Sequence, residues 1–81
     1  MLEQKQILEY AIIGVSKEID DLEKAVNRGK QFLLQYERGQ KPKTPKSPQE
    51  IKEIIQKKRV EIEKLADIKN EMKWALTEYE Q

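Results

Sequence analysis

From Leu8 to Tyr36 the apolar residues return in alternating steps of four and three. The series is Leu8, Ile12, Val15, Ile19, Leu22, Val26, Gly29, Leu33 and Tyr36, and eight of these nine are apolar. A stripe with that period fits only a helix that packs lengthwise against another helix. A second stripe reads Ile51, Ile55, Lys58, Ile62, Leu65, Lys69, Met72, Leu76 and Tyr79. The two lysines on it are expected at the seam edge, with stems packed and heads in water.

Between the stripes lies Glu37–Glu50, ERGQKPKTPKSPQE, which holds all three prolines. Gly39 is a stop signal for the first helix. Ser47 is a cap for the second, Pro48 suits its first position, and Glu50 stands where a capping box needs it. The chain therefore reads as one all-α domain over residues 1–81. A helix runs over about 2–37, a basic proline-rich loop over about 38–47, and a second helix over about 48–79. Helices of that length joined by a loop of about ten residues fold back as a long antiparallel, coiled-coil-like hairpin. Gly14 and Gly29 each weaken the first helix by roughly 1 kcal/mol relative to alanine. Gly29 sits on the seam, where a close backbone approach or a slight bend is expected.

Both apolar faces are wider than a two-helix seam needs. Ile7, Ala11, Ala25 and Phe32 widen the first, and Ile68, Ala75 and Tyr79 the second. Bundles bury faces of that width. A chain of 81 residues also has a thin core, and it has no cysteine for disulfides and no histidine or cysteine for zinc. The expected solution is a homodimer, two hairpins forming a four-helix bundle. Its seam is Leu8, Ile12, Val15, Ile19, Leu22, Val26, Leu33, Ile55, Ile62, Leu65, Met72 and Leu76.

Charge predicts how the hairpins align. Residues 28–59 carry ten basic and three acidic side chains, whereas residues 1–27 and 60–81 each carry three basic and six acidic. The loop end is thus +7 and each strand of the open end −3. Loops at the same end would set two basic tips together, so loops at opposite ends are expected.

Two surfaces remain for other partners. Tyr10, Ile13, Val60 and Trp74 fall off both stripes, as does Leu34, and the first four form a candidate protein-binding patch centred on Trp74. Arg38, Lys41, Lys43 and Lys46, backed by Lys57, Lys58 and Arg59, are candidate contacts for nucleic acid or another anion. No aromatic residue interleaves with the loop lysines and no nucleic-acid-binding motif accompanies them, so a connector is the favoured reading of the loop.

Chemistry has little footing. With no histidine, Ser16 and Ser47 lack the usual base. The pairs Glu18/Asp21 and Glu50/Glu53 have helical metal-ligand spacing, as in some magnesium-dependent all-α nucleotide hydrolases. A magnesium site needs several converging oxygens, and an antiparallel hairpin holds these pairs far apart. No enzyme, cofactor or metal is therefore expected. The apolar N-terminal segment lacks the basic leader of a signal peptide, and neither a membrane span nor a membrane-surface helix is expected. These features point to a small cytoplasmic adaptor, regulator or assembly factor that acts through protein contacts.

Overall fold

The computed structural model describes residues 3–79 and consists of two long helices packed along each other. Helix α1 spans Gln4–Glu37 and α2 spans Pro48–Tyr79. Glu3, which the expected first helix included, is instead the extended N-cap residue of α1, and Leu2 lies outside the described residues. No strand forms among the described residues.

Each helix end has a local cause. At the start of α1, the Glu3 backbone N–H donates to Gln6 Oε1 at 3.2 Å. At its end Gly39 adopts φ +74°. Gly39 N–H then reaches Tyr36 O at 3.1 Å, and Gln40 N–H reaches Gln35 O at 2.9 Å. That pair of bonds is the Schellman closure, which needs a left-handed residue after the cap. At the start of α2, Glu50 N–H donates to Ser47 Oγ at 3.2 Å, so the serine half of the predicted capping box forms.

The loop is tied down rather than splayed. Tyr36 Oη donates to Lys46 O at 2.8 Å. Thr44 N–H closes a tight turn on Pro42 O at 2.9 Å, and Lys46 N–H donates to Thr44 Oγ1 at 3.3 Å. At the open end, the Tyr79 hydroxyl donates to Gln4 Oε1 and links the two helices.

The core is small and lies near the loop. Val26, Ile51 and Ile55 are the buried hydrophobics among the described residues, with Phe32, Leu33, Tyr36 and Ile62 packed against them. Gly29 is the close approach expected on the seam. A β-carbon there would stand 3.0 Å from Cγ1 and Cδ1 of Ile55 and 3.4 Å from Cγ2 of Ile51. Of the twelve predicted seam residues, Val26 and Ile55 are buried and the other ten are half-buried. Two cylinders touch along a line, so each seam side chain keeps one flank open. Lys58 and Lys69 are half-buried, as expected of stems packed at a seam edge.

Candidate functional site

The molecule is a rod of 57 × 20 × 15 Å. Its radius of gyration is 17.6 Å, against about 12 Å for a compact domain of this length. Its accessible surface is 6666 Å², whereas a folded monomer of 9.6 kDa exposes about 5,100 Å².

Three hollows follow one another along one side of the seam. At the loop end, about 340 Å³ lies between Ala25, Gly29 and Phe32 of α1 and Ile51, Ile54 and Ile55 of α2. In the middle, about 500 Å³ is floored by Leu22, Leu65 and Ile68. At the open end, about 360 Å³ lies between Ile7 and Leu8 of α1 and Ala75 and Tyr79 of α2. The hollows share a side because their linings repeat every seven residues. On α1 the series is Gln4, Glu18, Ala25 and Phe32, and on α2 it is Ile54, Glu61, Ile68 and Ala75. A seven-residue step returns to nearly the same helix face. Together the hollows form a groove in three parts, each floored by apolar side chains, along one side of the hairpin.

The other side of the seam is polar. The residues one step beyond the stripe there are Glu9, Ser16, Glu23, Lys30 and Glu37 on α1 and Lys52, Arg59, Ala66 and Lys73 on α2; Ser16 and Ala66 are half-buried and the others exposed. A smaller hollow of about 220 Å³ lies between Leu33, Tyr36, Pro48, Glu37 and Lys52. Of the flanking residues that widened the sequence stripes, Ile7, Ala25, Phe32, Ile68, Ala75 and Tyr79 line the hollows on the first side, and Ala11 does not. Ile7 is 52% exposed, Ile68 46% and Tyr79 49%.

The groove is charged by zones. Arg28, Lys46 and Lys58 rim its loop end. Glu18, Asp21 and Glu61, with Lys64, rim its middle, and Glu78 its open end. Of the candidate anion contacts, Lys46 and Lys58 thus join Arg28 at one cavity. Arg38, Lys41, Lys43, Lys57 and Arg59 are exposed.

The candidate patch residues Tyr10, Ile13, Val60 and Trp74 are all exposed, Trp74 the most at 75%. Tyr10 and Ile13 belong to α1 and Val60 and Trp74 to α2, and none lines the groove. A shallow hollow beside Trp74 is lined by Asn70, Lys73 and Thr77. The Glu18/Asp21 pair faces Leu65 across the seam, whereas Glu50 and Glu53 lie near the loop. Among the described residues no three acidic side chains converge as metal donors. No helix is long and apolar enough to cross a membrane among the described residues. Comparison of the chain with family models, curated protein sequences and solved structures returned no match.

Proposed function

We propose that this chain is a non-enzymatic protein-interaction module, a small cytoplasmic adaptor, regulator or assembly factor. It works as a homodimeric four-helix bundle with loops at opposite ends. The observation that carries this reading is the one-sided apolar groove. The hairpin by itself leaves Ile7, Ile68 and Tyr79 about half exposed on the same open side. A second hairpin laid on that side removes them from water, and each such side chain, fully buried, contributes about 1.5–3 kcal/mol. The rod's broad face is 57 × 20 Å, about 1,100 Å² in projection, which exceeds the roughly 800 Å² per partner of a standard stable interface.

The groove's charges support opposed loops. With loops at one end, Arg28, Lys46 and Lys58 of both copies would crowd together. With loops at opposite ends, the cationic rim moves to the partner's acidic end.

Light scattering tests the reading directly. The expected mass is that of two 9.6-kDa chains, and the melting temperature should rise with protein concentration. A monomeric mass with a concentration-independent melting temperature would overturn self-association.

A second reading has one observation behind it. Arg28, Lys46 and Lys58 converge on a single cavity, with Lys41 and Lys43 exposed on the adjoining loop. Such a cluster also suits the phosphates of a nucleic acid.

A further inference from the structure

The groove's two lining helices define where a second copy would sit. Along α1 the lining runs from Gln4 to Phe32, centred on Glu18. Along α2 it runs from Ile51 to Tyr79, centred on Leu65. Glu18 and Leu65 line the same central hollow, so both helices give the same midpoint.

We propose that a second copy of this chain covers the groove with α1 on the partner's α1 and α2 on the partner's α2. The two-fold axis crosses at Glu18 and Leu65. This proposal rests on the self-association reading above and adds the helix pairing and the register.

Symmetry leaves two ways to lay identical grooves face to face. A two-fold axis along the rod puts α1 over the partner's α2 and both loops at one end, stacking six groove cations. A two-fold axis across the rod puts each helix over its own copy, antiparallel, with loops apart. The cation zoning selects the second.

Register then follows from coverage and shape. A shift of one heptad along the rod, about 10 Å, leaves a heptad of apolar groove open at each end. In the centred register Ile7 falls at the level of the partner's Gly29, over the hollow at the partner's loop end. Ala11 falls opposite the partner's Ala25, two small residues that let the helices approach. On α2, Lys58 comes within one residue's rise of the partner's Glu71. Glu18 meets its own copy on the axis, a like-charge contact, and Lys64, which lines the same hollow, also comes near its own copy there.

The Glu18 contact makes the test specific. Glu18 is exposed in the hairpin and is not part of its core. Glu18→Gln should tighten the dimer severalfold, because it removes a repulsion between copies. In the alternative pairing Glu18 lies against the partner's α2 beside Lys64, and the same change loosens the dimer or leaves it unchanged.

Cross-linking reads the register independently. The chain has no cysteine, so each introduced thiol reports alone. A linker of about 10 Å spans facing helices. Glu18→Cys should link to itself in high yield, and Leu65→Cys likewise, whereas Ala25→Cys should not. Linking only in a mixture of the Glu18→Cys and Leu65→Cys proteins would overturn the helix pairing. Self-linking at Ala25→Cys in place of Glu18→Cys would overturn the register. Either result leaves a dimeric mass intact, whereas a monomeric mass of the unmodified chain would overturn the underlying reading and this proposal with it.

Discussion

Two glycines inside α1 show how one residue type carries opposite roles. Gly14 has no heavy atom within 4 Å of where a β-carbon would stand, and it is exposed. Its effect within the hairpin is only the backbone freedom it adds to the unfolded chain. Gly14→Ala should therefore stabilise the hairpin by about 1 kcal/mol. Gly29 faces Ile55, a core residue at 5% exposure, at 3.0 Å. Gly29→Ala gains the same helix propensity, but the new methyl must push Ile55 out of a packed site. Overpacking of this kind costs about 1–3 kcal/mol, so the net change is destabilising by up to about 2 kcal/mol. Paired chemical melts of the two variants check the prediction, which needs shifts of opposite sign. The sequence placed Gly29 on the seam and predicted either a close approach or a slight bend there, and the close approach is what the structure shows. The sequence could not identify Ile55 as the side chain in contact, because that depends on how the two helices are offset.

Both helices were legible as elements, because their limits depend on local chemistry. Ser47, Pro48 and Gly39 act within a few residues of themselves, and so do the bonds they make. The seam was legible for the same reason, since period alone places Leu22 and Leu65 inward. Less legible was the depth of burial along the seam. The buried cluster sits at Val26, Ile51 and Ile55, near the loop, where Tyr36 and Thr44 draw the connector in. Those loop contacts join residues ten and two positions apart and leave no periodic trace. The same limit hid the link between Gln4 and Tyr79, and the convergence of Lys46 with Arg28. Leu22 tests the element-level claim, because it serves both the hairpin seam and the floor of the central hollow. Leu22→Asp puts a charge at both contacts, so the dimer should dissociate and helicity should fall. Circular dichroism and light scattering on one sample follow both, and an unchanged melting curve would contradict the core assignment.

At the scale of the whole molecule, net charge misleads and its layout informs. The total of +1 divides into a +7 loop end and two −3 strands at the open end. In an antiparallel bundle each loop end lies along the partner's acidic end. Lys41, Lys43 and Lys46 then contribute to association, although each exposed contact is worth only about 0.2–1 kcal/mol. Reversing all three to glutamate turns three attractions into repulsions, and the dimer should weaken by about ten- to a hundredfold at low salt. The effect should fade toward 1 M salt, where charges are screened beyond about 3 Å. Sedimentation equilibrium at several ionic strengths measures this. The same variant separates the two readings of the basic end. If its dimer affinity matches the parent's at every salt concentration, while the parent alone binds labelled DNA or RNA with steep salt dependence, the basic end serves a phosphate backbone. If the dimer weakens and neither protein binds nucleic acid at moderate salt, the acidic surface that this end faces is a second copy of itself.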